Sequence, residues 1–178
     1  ITAMMLALII PLSPGVAAAD DDDSVYLSLG TSLATGTIAD ANGNNILFSS
    51  LSYTDQLAAE LDDVEHVKLG CPGETVATFV NGGICYTGGS SQLRVAEATL
   101  ARGGESLVTI DLGANDVLQA QPDIVACGAD QLCVFTILSK IAAGIGGVLD
   151  ALHAADPDVE IVGMNYYNPN LAAWLGHY

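Results

Sequence analysis

The segment Val25 to Gly36, VYLSLGTSLATG, constrains the fold more than any other stretch of the chain. Its alternating apolar start, Val25 to Leu29, has the period of a β-strand. The run stops at Gly30-Thr31-Ser32, and a helix-permissive stretch follows. A strand that ends on a glycine turn and presents a hydroxyl suits an open parallel α/β sheet, where ligands bind at the carboxyl edge of the strands. Ser32 is therefore a candidate nucleophile. Taken alone, its position favours a helix N-cap, the commonest role for a serine after a strand.

The rest of the chain repeats the alternation of strand and helix. Tyr53 to Leu61 places Leu57 and Leu61 four apart, as on an amphipathic helix, with Ser52 or Thr54 as its cap. His66 to Leu69 is a short strand candidate. Ser91 to Arg102 is a second helix, with Leu93, Ala96 and Leu100 on one side. Leu107 to Leu112, LVTIDL, is a strand that Gly113 ends. Asp130 to Ala155 is the longest helix, with Asp130 as its cap. Leu132, Phe135, Leu138 and Ile141 begin an apolar stripe that Ile145, Leu149 and Leu152 continue. Gly144, Gly146 and Gly147 weaken this helix by about 1 kcal/mol each relative to Ala and mark a bend or a close helix–sheet contact. Asp156-Pro157 ends it, and Val159 to Met164 is a fourth strand. This order predicts a three-layer α/β/α sandwich with a parallel sheet. After Met164 only 14 residues remain, too few for the further strand and covering helix that would close such a sheet. The expectation is a domain whose C-terminal strand and helix are missing.

Length and charge narrow the function classes. A chain of 178 residues suits one domain with a sizeable core. Only 14% of residues are charged and 51% are apolar, which excludes a disordered chain. A net charge of −17 argues against nucleic acid and anionic membrane surfaces as partners, since both need a basic face. Ile1 to Pro14 is almost wholly apolar, and Ala17-Ala18-Ala19 precedes the first charge, Asp20. Residues 1–19 thus resemble a signal peptide without its basic n-region, leaving 20–178 as the domain and a secreted, extracellular location. Pro11 and Pro14 cut the run short of the roughly 20 residues a membrane anchor needs, so no stable span is expected after signal removal. Asp20 to Asp23 form a solvated start. A calcium loop is not supported there, because no Gly or later Glu follows at EF-hand spacing.

Four cysteines fit an exported protein. Of three possible connectivities, nearest-neighbour pairing, Cys71–Cys85 and Cys127–Cys133, is favoured. Closing a loop of about 15 residues would stabilise by roughly 3 kcal/mol. A zinc site is the alternative, but there is no CxxC pair and no histidine at ligand spacing.

Three short blocks carry the chemistry. Gly30-Thr31-Ser32-Leu33 resembles the first block of the SGNH/GDSL hydrolase superfamily, usually Gly-Asp-Ser-Leu. Gly70-Cys71-Pro72-Gly73-Glu74-Thr75 resembles its second block, and Gly113-Ala114-Asn115-Asp116 its third, Gly-x-Asn-Asp. Tyr166, Tyr167 and Pro169, with the four cysteines, are similar to the exported bacterial esterase/lipase branch. The resemblance covers the chain from about Val25 onward and implies a flavodoxin-like fold of the SGNH type. It also implies an acyl-transfer site with no cofactor and no metal. Ser32 would be the nucleophile. The backbone N–H groups of Ser32 and Gly73 and the side-chain amide of Asn115 would form the oxyanion hole. Each has a plainer role when read alone: Gly73 as a turn residue after Pro72, Asn115 as a cap or Asx-turn.

Two departures from the family pattern stand out. Thr31 replaces the usual Asp, and a short local hydrogen bond from its hydroxyl is expected to keep the turn. The family's base is a histidine three residues after an aspartate near the C-terminus. Asp63/His66 and Asp150/His153 have that spacing, but one pair lies at a strand start and the other near the end of the long helix, where a histidine also suits the helix dipole. His177 follows Trp174 rather than an Asp. The base and its orienting Asp are therefore expected outside this sequence. The resemblance implies a serine hydrolase cleaving carboxylic esters of small molecules or lipids. The alternative is a catalytically inactive fold that binds a lipid or sugar. A nucleotide-binding domain is disfavoured, because no G-x-G-x-x-G follows the first strand.

Overall fold

The computed structural model describes residues 24–42, 44–47, 49–104 and 106–166. The expected signal peptide, Asp20 to Asp23, Tyr167, Pro169, Trp174 and His177 lie outside these residues. Strand β1 (Ser24–Gly30) leads into a single helical turn, α1 (Ser32–Thr35). An antiparallel hairpin, β2 (Thr37–Ala39) and β3 (Asn45–Leu47), and a 3-10 turn at Ser49–Leu51 follow. Then come α2 (Tyr53–Glu60), β4 (Val64–Lys68), α3 (Val76–Asn81), α4 (Gln92–Leu100) and β5 (Ser106–Asp111). The described chain ends with α5 (Ala114–Gln119), α6 (Gln121–Ala126), α7 (Gln131–Ala155) and β6 (Glu160–Gly163).

The main sheet has the order β4-β1-β5-β6, and every pairing is parallel. Counted within the sheet, its second strand lies beside the first, and the third and fourth follow on the other side. This is the flavodoxin-like order expected from the sequence. The direction of winding reverses between β1 and β5, so a crevice opens at their carboxyl ends. Register places Gly30 opposite Asp111 there.

The two faces of the sheet differ in chemistry. Val25, Leu27 and Leu29 of β1 and Val108 and Ile110 of β5 form one apolar face with Leu112. They pack against Phe79 of α3, Ala96 and Leu100 of α4, and Val148 and Leu152 of α7. The opposite face buries Tyr26, Ser28, Thr109 and Asp111. Buried polar groups need partners, and these have them. The Tyr26 and Thr109 hydroxyls lie 2.8 Å apart, Ser28 Oγ is 2.9 Å from His66 Nε2, and the Tyr26 ring stacks on His66. Helix α2 covers this face, anchored by a 2.6 Å ion pair between Asp55 and Lys68 of β4.

Helix starts follow their caps. Ser52 accepts from the Asp55 amide, Ser91 from that of Arg94, and Asp130 from those of Leu132 and Cys133. Helix α7 runs unbroken, and the glycine expectation needs correction. Gly144 lies hard against Val76 of α3, a helix–helix contact, while Gly146 and Gly147 face open space. The apolar stripe also divides. Val148 and Leu152 enter the core, whereas Leu132 and Phe135 are 73% and 67% exposed. By length and composition alone α7 is apolar enough to cross a membrane. The cysteines pair as Cys71–Cys85 and Cys127–Cys133, with Cα separations of 6.0 and 5.7 Å.

Candidate active site

The turn after β1 is clamped from two sides. Thr31 occupies the N-cap position of α1 but makes no side-chain capping bond, and Ser32 is the first helical residue. Ser32 is thus not the cap. The expected local hydrogen bond of Thr31 is also absent. Its backbone N–H and its hydroxyl both donate to Asp111 Oδ1, each at 2.6 Å, across 80 residues of sequence. The Tyr53 hydroxyl donates to Asp111 Oδ2 at 3.1 Å. Burial raises the Asp111 pKa, and the hydrogen bonds from Thr31, Tyr53 and the Ala34 amide oppose that rise. Burial and the Asp111 charge push the Tyr53 phenol up in turn.

On the other side, Gln92 at the start of α4 holds Gly30 by both backbone groups. Gly30 N–H donates to Gln92 Oε1 at 2.6 Å, and Gln92 Nε2 donates to the Gly30 carbonyl at 3.1 Å. The same Nε2 donates to the buried Glu74 carboxylate at 2.9 Å. Gly30 has φ +121°, and a Cβ there would collide with Asp111, so this position requires glycine. Among the described residues the half-buried Ser32 hydroxyl makes no hydrogen bond.

The second and third blocks fasten to each other. The Glu74 amide donates to the Cys71 carbonyl at 3.2 Å, closing a turn with Pro72 and a positive-φ Gly73 at its centre. That is the sequence signature of a type II turn. Asn115 is neither a cap nor an Asx-turn. It sits inside α5, and its Nδ2 donates to the Glu74 carbonyl at 2.8 Å. Asp116 accepts from the Val76 amide at 3.1 Å and so holds the start of α3. Burial raises the Asp116 pKa, against the Val76 bond.

Ser32 and Asn115 line one cavity of about 510 Å³. Its remaining wall is largely apolar, with Leu112 just after β5 and Leu138, Ile141 and Ile145 of α7. Gly73 is not part of that wall and joins the site through Glu74, its neighbour. The Tyr166 hydroxyl is buried at the cavity near Thr31 and the Ala114 amide, without a full hydrogen bond among the described residues. Burial and the Asp111 charge raise its pKa. The arrangement presents a hydroxyl and a neutral amide donor at the edge of an apolar space, which suits acyl chemistry on a substrate with an apolar part.

The two described histidines lie elsewhere. His66 stacks on Tyr26 inside the sheet's polar face, where burial lowers its pKa. Exposed His153 sits 3.0 Å by Nδ1 from the Leu149 carbonyl near the end of α7. That helix end feeds the amino end of β6, the edge of the sheet opposite Ser32. Among the described residues, no three His, Cys, Asp or Glu side chains converge to hold a metal ion.

Sequence reasoning missed Asp111, Gln92, Glu74 and Tyr53. Asp111 had a usable signal, since a carboxylate inside the apolar run LVTIDL must find donors once buried. Gln92 looked like an ordinary first-turn residue, and nothing local distinguishes it.

Known proteins share this frame. A crystal structure of an extracellular lipase from Streptomyces rimosus superposes with a TM-score of 0.53 at 21% identity, over 82% of this chain and 62% of the lipase. The chain thus spans about three fifths of that lipase's length. No curated protein matches the sequence significantly. The model of the GDSL-like lipase/acylhydrolase family matches residues 28–177, a span that takes in all three sequence blocks and the strand ends that carry them. The chain belongs to the GDSL-like lipase/acylhydrolase family.

Proposed function

We propose that the protein is a secreted serine hydrolase that cleaves carboxylic esters through an acyl-Ser32 intermediate. The observation that carries this reading is the uncapped, unbonded Ser32 hydroxyl beside Asn115 on an apolar cavity. In the first step Ser32 Oγ bonds to the ester carbonyl carbon and loses its proton to a base. The carbonyl oxygen becomes an oxyanion, with the Ser32 and Gly73 amides and the Asn115 side chain as donors. Collapse expels the alcohol, which takes the proton. Water then attacks the acyl-enzyme, and the acid leaves as Ser32 recovers its proton. The apolar wall supports an acyl chain as the part that enters the cavity.

The engaged positions of His66 and His153 support a general base other than these two. The two disulfides support an oxidising, extracellular setting, as does the Streptomyces lipase, which is described as extracellular. We read α7 as a layer of the sandwich, since Val148 and Leu152 belong to the core.

Incubation of the full-length protein with an organophosphonate tests the reading. Labelling should fall on Ser32, and Ser32→Ala should abolish both labelling and short-chain ester hydrolysis. Hydrolysis that persists in Ser32→Ala would refute it.

A further inference from the structure

We propose that Asp111 is a positioning residue for the nucleophile, acting through Thr31. This rests on Ser32 being the nucleophile and adds how its turn is held. A four-residue helix such as α1 has little stability of its own, so the direction of Ser32 depends on what grips the turn before it. Thr31 immediately precedes Ser32, yet its hydroxyl does not cap α1. That hydroxyl and the Thr31 N–H converge on one carboxylate oxygen of Asp111, at 2.6 Å each. The second oxygen is held by Tyr53 of α2. The Ala34 amide, within α1 itself, is near enough to favour the charged form of Asp111. A single carboxylate on β5 therefore grips the residue that opens α1 from outside the helix. It leaves the Ser32 hydroxyl free of that duty.

The arrangement also accounts for the threonine at position 31. A second carboxylate there would face Asp111 at hydrogen-bonding distance with no cation between them among the described residues, whereas a hydroxyl donates to it. The pair is thus one donor and one acceptor, and exchanging them should preserve the bond. A carboxylate at 31 and a hydroxyl at 111 keep the hydroxyl–carboxylate bond with the roles exchanged between the strands.

The test uses the full-length protein, with ester hydrolysis and the rate of organophosphonate labelling as readouts. Thr31→Val removes one donor and leaves the fold's charges unchanged. It should lower kcat and the labelling rate by roughly 10-fold, with KM within about 2-fold of wild type, since displaced reacting groups lose rate rather than binding. Asp111→Asn should lower kcat by roughly 100-fold on the same argument. The exchange Thr31→Asp with Asp111→Thr should recover labelling to within about 5-fold of wild type, while either single change does not. Wild-type labelling in Thr31→Val, or an exchange variant no better than its single changes, overturns the proposal. If Asp111→Asn does not fold, Thr31→Val decides by itself. Persistent hydrolysis in Ser32→Ala would instead mark failure of the nucleophile assignment, so the two failures are separable.

Discussion

The side-chain amide of Asn115 donates to the backbone carbonyl of Glu74 at 2.8 Å, joining the turn that follows β4 to the helix that follows β5. One N–H of that amide is committed to the scaffold. On the proposed reading, the other serves a substrate oxygen.

This dual use has a measurable signature. Asn115→Ala should lower kcat for ester hydrolysis by roughly 100-fold to 1,000-fold, the usual cost of one oxyanion donor. It should also cost about 1 kcal/mol of stability from the lost scaffold bond. Steady-state kinetics and urea denaturation measure the two effects separately. A stability loss with unchanged kcat would remove Asn115 from the oxyanion hole.

Gln92 ties Gly30 to Glu74 in the core. Gln92→Ala would leave the Gly30 N–H, its carbonyl and a buried carboxylate without that partner. We expect a loss of about 2–4 kcal/mol, from more than one orphaned buried group, read as a lower urea midpoint. A shift under about 0.5 kcal/mol would mean that water replaces Gln92.

The two disulfides should differ in worth. Cys71–Cys85 spans 14 residues and Cys127–Cys133 spans 6. In the chain-entropy treatment, paired Cys→Ser changes should cost roughly 3 kcal/mol at the first and roughly 2 kcal/mol at the second. Chemical denaturation of the two double variants would show the order, and a reversed order would mean that native-state contacts outweigh loop length.

His66 gives a pH signature. Burial, aided by Lys68, lowers its pKa, and Asp55 opposes the shift. As pH falls, the unfolded chain takes up the proton first, so this contribution to stability is present above the ordinary histidine pKa of about 6.5 and is lost as pH drops through the folded value. His66→Gln removes the titration and keeps a partner for Ser28. Between about pH 7.5 and about pH 5.5 its urea midpoint should fall less than that of the wild type. Equal falls would show that other groups carry the acid sensitivity.

The sheet and its long helices were legible because their signals are local. Val25 to Leu29 alternates, Ser52, Ser91 and Asp130 cap, and Asp156-Pro157 stops a helix. The order of these elements then implied the parallel topology. The short elements α3, α5 and α6 and the β2–β3 hairpin carry too few periods to declare themselves. The three blocks were legible in the sequence, but the side chains that hold them in place were not. Thr31 and Asp111 are far apart in the chain, and their partnership exists only because β1 and β5 pair in register with Gly30 opposite Asp111. Ser32 resembled a cap in the sequence because the carboxylate that grips its turn lies on another strand.

That register has a consequence for folding. Each clamp on the Ser32 turn spans a long loop of chain, 80 residues for Thr31 to Asp111 and 62 for Gly30 to Gln92. Contacts of such separation form late, after loop closure has been achieved. A newly made or partly folded chain therefore carries its serine in an ungripped turn, chemically quiet. If Ser32 is the nucleophile as proposed, its reactivity arrives with the finished topology, and its labelling would report whether the sheet has been assembled.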